Sequence, residues 1–559
     1  MAIDGMMGRL AFSALACVVA IMGWAQDLTF TNGVIFVNED RYGPNQGSIN
    51  FYNYDYDEME YNVYAMVNPT TRLGVTTQQG QVFGQRLFLV SKQANGNESS
   101  GSTMGSRLAI LDAATLKQQG SLLRFGPSPD SIYDGRSYCA VSNDKGYVAT
   151  SAGIFVLDVN NLTTAGPIAG TQSSARGDYN SLYFDQCGDM VRLGQYVFAV
   201  QQGRGLHVID PRADTVVTTL SFPHIVTAFV TAGGHLYVAN NSRTVYDFSS
   251  GPYVADFTRI DPVTFQTLEV CDLGDGHGAL NSWGAWRSRM LCVDPVAERV
   301  YYYYEEFQNH ISCYDFSSHE FIDHYIDLPE AAEVNWDGSR NHQGLYAAAL
   351  SFDPHTGDMV VQTTEAAPMY AYEIFNHNWV LFYDAATATL KRQVRLRDAY
   401  WFPAMAVYPD LYEPSVSVAD QAMQVGHETV IDLLEAVHDP DNMSALAVCT
   451  AGSDNDGVVR AWVQGLELHV AALAPGQAAV TVTADSNGRM ATATFTVTVT
   501  AGNEVGDLTG DHVIDVADVV ALIRLVLDSG DYDAVADVHP DGTIDVGDVS
   551  ALIHFVLNH

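Results

Sequence analysis

One pattern recurs along most of this chain: a short apolar run, a loop, and a second run ending in Asp. Arg86–Val90 is followed by Arg107–Asp112, Lys145–Ala149 by Gly153–Asp158, and His235–Ala239 by Phe257–Asp261. Arg299–Tyr303 leads to His310–Asp315, and Met359–Gln362 to Trp379–Asp384. Gly188 to Leu220 shows a whole unit, with Leu206 and Val208 alternating with polar neighbours. The runs have strand length, and the breaks between them are too short for a crossover helix. The terminal Asp suits a turn, because its carboxylate accepts nearby backbone N–H groups. Each unit is therefore a meander of antiparallel strands. One such sheet has two apolar faces and must stack on others like it. With Val34–Val37 and Ser48–Tyr52 there are seven units over about 375 residues, a period of about 45–50, which predicts a mainly β chain led by a seven-bladed β-propeller. No unit follows Phe402–Tyr408, so that segment is expected to pair with the first unit and close the ring.

Four segments are expected: 1–26 a signal peptide, 27–410 the propeller, 411–500 a small β-sandwich, and 501–559 a calcium-binding helix pair. Arg9 precedes the apolar run Leu10–Met22, and Gly23-Trp24-Ala25 supplies small residues, so cleavage is expected near Ala25 or Gln26. Cys17 follows Ala14-Leu15-Ala16, a weak form of a lipidation box. After Tyr412-Glu413-Pro414 come strand-like runs at Val416–Val418, Thr429–Leu433, Gly457–Val463, Leu466–Val470, Ala479–Thr483 and Thr494–Val499, as in a sandwich.

Formal net charge is -39, which argues against nucleic-acid or anionic-lipid partners. Much of the excess lies at the C-terminus. Asp507, Thr509, Asp511, Asp515 and Asp518 occupy positions 1, 3, 5, 9 and 12 of a loop; Asp537, His539, Asp541, Asp545 and Asp548 repeat the spacing. Val513 and Thr543 stand at the seventh position, where a backbone carbonyl would be offered. Such loops repel themselves unless a hard cation with oxygen ligands cancels the charge, which predicts two Ca2+ ions. Gly542 sits at the tight sixth position; His512 takes that place in the first loop. Helical patterns follow both loops. The remaining cysteines, 139, 187, 271, 292, 313 and 449, have no zinc spacing and read as buried thiols.

These acidic loops resemble type I dockerins, which implies two calcium ions and docking to a cohesin-like module on a surface or secreted protein. The segments Thr429–Leu433, His438–Asp441 and Leu473–Val482 resemble cadherin- or Ig-like repeats of bacterial surface proteins. The opening Gly33–Gly43 with Gly47–Ile49 resembles the YncE-like, DUF5074-type surface propellers of Bacteroidetes. That likeness implies an outer-surface location, and some members of the class bind cobamides.

A propeller offers one predictable site, the face carrying the loops that enter each innermost strand together with those joining second and third strands. Trp283, Trp286, Arg287, Trp336, Arg340, His342, Trp401 and Asp178 fall on the former, and Glu39, Arg41 and Tyr42 on a matching loop. Such aromatic and amide groups suit a flat polar ligand, by stacking plus hydrogen bonds; the tryptophans equally suit packing between blades. Glu39, Asp178, Asp337, His342 and Glu365 are the candidate acid and base groups, but no nucleophile with its base stands at a fixed spacing. Three readings stay open: a surface module binding cobamide or glycan, a glycan-active lyase or hydrolase, and a structural adhesion protein.

Overall fold

The structure, a computed structural model, describes residues 28–40, 45–94, 105–126, 133–173, 185–242, 254–274, 276–280, 290–334, 340–366, 374–501, 504–511, 513–528 and 533–558. The expected signal segment with Cys17, and Arg41, Tyr42, Asp178, Trp283, Trp286, Arg287, Trp336, Asp337 and His512, lie outside these residues.

Five four-stranded antiparallel sheets follow one another between Val75 and Asp327, each with its strands in sequence order. The first holds Val75–Phe83, Arg86–Gln93, Leu108–Asp112 and Gln118–Leu122; the last holds Leu291–Val293, Arg299–Tyr302, His310–Asp315 and Glu320–Asp327. The remaining strands make one curled nine-stranded sheet. Within it Arg340–Phe352, Met359–Ala366, Asn378–Asp384 and Thr389–Arg395 are antiparallel, and Pro403–Val407 lies antiparallel to Gly33–Asn38, Ile35 opposite Val407. One parallel pairing, Ala348 with Met405, joins the two parts. Strands from the two ends of this region thus share a sheet, as the leftover segment predicts.

The repeated Asp does what its chemistry suggests. Asp112 Oδ1 accepts the N–H groups of Ala114 and Thr115, and Asp315 Oδ1 those of Ser317 and Ser318. Four residues after the Asp of six units the chain turns left-handed without glycine: Leu116, Leu162, Asp214, Phe265, His319 and Ala388 all have φ between 52° and 62°. The carboxylate holds the tight hairpin in which that conformation is tolerated.

Apolar clusters lie between consecutive sheets. Ile35, Phe51, Leu87 and Leu111 share one; Phe88, Ile110, Tyr138 and Phe155 share the next. The series returns to its start, because Val34, Phe36 and Tyr52 are buried with Val360, Val380 and Phe382. Burying both faces of every sheet is what makes the sheets propeller-like blades.

From Ser415 to Thr500 a four-stranded and a three-stranded sheet enclose a core of Val459, Leu468, Val470, Val480, Val482, Phe495 and Val497, with a two-stranded pairing of Ser415–Val416 and Val437–His438 beside them. Two strands there, Gln421–Gln424 and Val448–Ser453, carry too little apolar alternation to read from sequence. A helical turn at Leu433–Ala436, capped by Asp432, ends the strand expected to reach Leu433. This unit meets the turns that close the first hairpin of several sheets. Gly84 N–H donates to Asn487 O at 2.6 Å, and Asn143 Nδ2 donates to Gly488 O at 3.2 Å. A cavity of about 430 Å3 lies inside, lined by innermost strands (Gln81, Cys139, Arg192, Val230, Cys292, Met405) and covered by Met443 and Asn487. One mouth of the central channel is thereby roofed, and the opposite rim carries the loops that enter the innermost strands.

Helices Val516–Leu527 and Val546–Asn558 bury Val519, Leu522 and Leu552 against Ala536. No helix among the described residues is long and apolar enough to cross a membrane.

Candidate ligand-binding rim

The rim opposite the roofed mouth is built from equivalent positions of successive sheets. Phe307 and Phe375 each stand three residues before the third strand of their sheet. Tyr346 lies where the pairing of Arg340–Phe352 with its neighbour slips between Leu345 and Leu350. Tyr400 and Phe402 belong to the loop entering Pro403–Val407. These five side chains form one aromatic patch. Tyr346 and Phe402 have ring centroids 3.9 Å apart, Phe375 and Phe402 5.1 Å, Phe307 and Phe375 5.5 Å, and Phe375 and Tyr400 5.7 Å. Tyr346 is buried; the other four rings are half-buried, which leaves aromatic surface facing outward.

Charged groups underlie the patch. Glu39 is 3 % exposed and accepts a hydrogen bond from Tyr346 Oη at 3.3 Å. Glu365 is 1 % exposed; Asn341 Nδ2 donates to its Oε1 at 2.7 Å, and His377 pairs with its Oε2. On the far side of Glu39 a line of alternating charge runs across two sheets. Lys92 Nζ lies 4.0 Å from Asp134, and Arg136 lies 3.6 Å from the same carboxylate, all three buried. Burial brings the Lys92 ammonium down to about 7, although Asp134 and Glu39 act to hold its proton. Beside Glu39, burial pushes the Asp40 carboxyl up to about 7 against a hydrogen bond from Ser48. Aromatic faces and buried charges thus adjoin on one rim of a chain whose overall charge is strongly negative.

The expected site residues divide. Glu39 and Glu365 belong to the rim network, Glu365 from within the strand Met359–Ala366 and not from a loop. Arg340 and His342 lie in a strand too, because Glu330–Val334 pairs with the start of Arg340–Phe352. Arg340 pairs with Glu330 at 3.4 Å, both exposed, and His342 Nε2 lies 3.0 Å from Phe307 O. Trp401 is 3 % exposed: its ring stacks on Tyr61, the Arg397 guanidinium lies over both, and its Nε1 donates to Arg397 O. Its surroundings are those of packing between the last sheet and the first. Phe307, Tyr346, Phe375, Phe402 and Lys92 escaped the sequence reading. Aligning the units on their third strands would have set Phe307 over Phe375.

The two acidic loops repeat each other in hydrogen bonding. The twelfth residue, Asp518 or Asp548, accepts the N–H of the third (Thr509 or His539) and of the ninth (Asp515 or Asp545), every distance 2.8 Å. Asp507 accepts from Gly510 N–H, Asp537 from Gly542 N–H, and Asp511 and Asp541 from the N–H of Val513 and Thr543. Asp507, Asp518, Asp537 and Asp548 are buried. Gly542 has φ 80°, which the tight turn requires. Buried carboxylates with an oxygen donor set in the first loop, and the same set in the second except for the His539 imidazole, fit a hard divalent cation. Among the described residues, the sets whose donor atoms already converge within 4.8 Å lie elsewhere: Glu269 with Cys271 and His319, and His310 with Asp323 and His324.

No curated protein matches the chain. Among solved structures it is similar to a quinonprotein alcohol dehydrogenase-like protein of Bacteroides thetaiotaomicron, at 13 % identity and TM-score 0.47, over 68 % of this chain and 79 % of that one. It is also similar to the β-propeller domain of Cps50 (Swd1) from Myceliophteria thermophila, at 11 % identity and TM-score 0.36, over 60 % and 95 %. Residues 32–409, which contain every propeller-like sheet and the whole rim, match the domain of unknown function DUF5074, and the chain belongs to that family.

Proposed function

We propose that this chain is an exported surface module whose closed, seven-bladed propeller binds a flat polar ligand, a cobamide or a glycan, on the aromatic rim. Its C-terminal loops bind two Ca2+ ions and form a dockerin that attaches the protein to a cohesin-like module. The observation that carries the binding reading is the five-ring patch resting on Glu39 and Glu365, at the mouth opposite the one that Ser415–Thr500 covers. Rings stack on the faces of sugars or of a corrin, and buried polar groups fix orientation. A ring of stacked sheets has no internal hinge, which spares ordering entropy on binding. Glu39, Arg41, Tyr42, Asp178, Trp283, Trp286, Arg287, Trp336, Arg340 and His342 complete the proposed ligand set, and Trp401 supports it from behind.

The dockerin reading rests on the duplicated loops: Asp507, Thr509, Asp511, Val513, Asp515 and Asp518 would hold one ion, and Asp537, His539, Asp541, Thr543, Asp545 and Asp548 the other. A glycan-active enzyme is the second reading, favoured by the Glu365–His377 pair, which offers an acid and a base at the rim.

Calorimetric titration of the full chain with cobamides and a panel of soluble glycans separates these, with chromatography of the same samples. Saturable binding that weakens at least tenfold in Phe402→Ala and Phe375→Ala, without products, is expected. Shortened glycans would replace binding by catalysis, and no binding to either class would refute both.

A further inference from the structure

Blade edges are usually featureless, but the edge strand Glu320–Asp327 is not. It pairs with His310–Asp315, Ile311 opposite Ile326 and Cys313 opposite Ile322. Ser312 alone therefore faces the three residues 323–325, a bulge with two extra residues. His324 takes a left-handed φ of 50° there, a conformation that is uncommon outside glycine. Bulges re-aim side chains that would otherwise alternate between faces. Here the result is that Asp323 and His324, adjacent in sequence, both come to the side of the sheet where His310 stands.

We propose that His310, Asp323 and His324 form a binding site for a borderline divalent metal ion, Zn2+ in the first instance. One donor atom from each of the three lies within 4.8 Å of the others. A tetrahedral zinc ion holds its donors about 3.3 Å apart, so modest side-chain rotation closes the set. His310 Nε2 is already 3.2 Å from Asp323 Oδ1. The two imidazole rings are stacked with centroids 3.6 Å apart, so ligation of one ion by both requires the exposed His324 ring to turn out of the stack and bring its lone pair toward that of His310.

The outer contacts fit metal ligation as well. His324 Nδ1 lies 2.6 Å from Asp327 Oδ1, and His310 Nδ1 lies 3.2 Å from Asn309 Oδ1. An oxygen acceptor at each Nδ1 fixes the proton there and leaves the Nε2 lone pair for a metal, the carboxylate–histidine–metal arrangement. Asp323 is oriented by Ser312 Oγ at 3.1 Å, by Tyr304 Oη at 3.2 Å and by the His324 N–H at 3.1 Å. Two nitrogens and one carboxylate suit zinc and disfavour calcium or magnesium, which take oxygen sets. Asp323 and His324 are exposed, so a fourth position opens to solvent for water or a ligand group.

The test is Zn2+ titration of the full chain in saturating Ca2+, which occupies the acidic loops, read by calorimetry and by the visible spectrum of the Co2+-loaded protein. One tight site per chain is expected. His324→Ala and Asp323→Asn, both exposed and compatible with folding, should each weaken it at least tenfold and abolish the tetrahedral Co2+ bands. Asp327→Ala should weaken it about tenfold through the lost outer contact. His319→Ala, at the other converging set with Glu269 and Cys271, should change nothing. No tight Zn2+ uptake, or uptake unaltered in His324→Ala and Asp323→Asn, overturns the proposal.

Discussion

Replacing Phe36 by Ala probes whether the last sheet and the first form one cooperative body. Phe36 is 1 % exposed, on a strand that pairs with Pro403–Val407, and it shares its cluster with Val360, Val380 and Phe382 of the last sheet. A fully buried Phe hides roughly 150–200 Å2; at about 25 cal/mol per Å2 its removal forfeits about 4 kcal/mol. Phe-to-Ala changes in cores span about 3–5 kcal/mol, cavity included. Val217→Ala is the control: Val217 is 50 % exposed on the outer strand Thr215–Ser221, where a change of less than about 0.5 kcal/mol is expected. Urea unfolding followed by tryptophan fluorescence, with Trp379 and Trp401 lying in or beside the affected sheets, should show a single transition shifted to lower urea for Phe36→Ala. The same shift should appear in circular dichroism, which averages over all sheets. A shift no larger than that of Val217→Ala would refute the shared core. So would a fluorescence transition that moves while the circular dichroism transition stays, because the sheets would then melt separately.

Hydrogen exchange of amides in Val516–Leu527 and Val546–Asn558 should slow at least tenfold when calcium replaces chelator; equal exchange would rule out metal-coupled folding there. Asp518→Asn removes a charged acceptor from two backbone N–H groups and should destabilise the first loop by about 2–3 kcal/mol, visible as faster exchange in the first helix before the second. Where the propeller-like sheets meet Ser415–Thr500, burial pushes Asp410 up to about 6, against a hydrogen bond from Asn487. The folded chain then keeps a proton that the unfolded chain has lost between about pH 4 and pH 6, so stability falls as pH rises through that window, by about 3 kcal/mol at most. Asp410→Asn should flatten the pH dependence of thermal unfolding there, and an unchanged slope would show that other groups set it.

Much of the fold was legible because the repeat writes its own punctuation. Asp at the end of six third strands fixes a hairpin, and the alternation of Leu206 and Val208 marks buried strand faces. Pairing of Pro403–Val407 with Gly33–Asn38 followed from a strand with no unit after it. Strands such as Val448–Ser453 were invisible because their hydrogen bonds to Gly476–Ser486, not their own side chains, make them strands. The rim was harder. Tryptophan draws attention, yet Trp401 is consumed by packing on Tyr61. Phe307 and Phe375 read as ordinary core residues, because only assembly of neighbouring sheets brings their rings together. Lys92 sits within an apolar strand, and nothing local announces Asp134, 42 positions away, as its partner. The bulge at His324 was equally silent, since its register is set by pairing with the neighbouring strand.

The most direct test of the central claim is equilibrium binding at the rim. Calorimetry of the full chain against cobamides and soluble glycans should find one ligand class binding at one site per chain. Affinity should fall at least tenfold in Phe402→Ala and in Glu39→Gln, and Val217→Ala should bind as the parent does. Binding that survives both rim changes would contradict the account, as would the absence of binding to every compound in both classes.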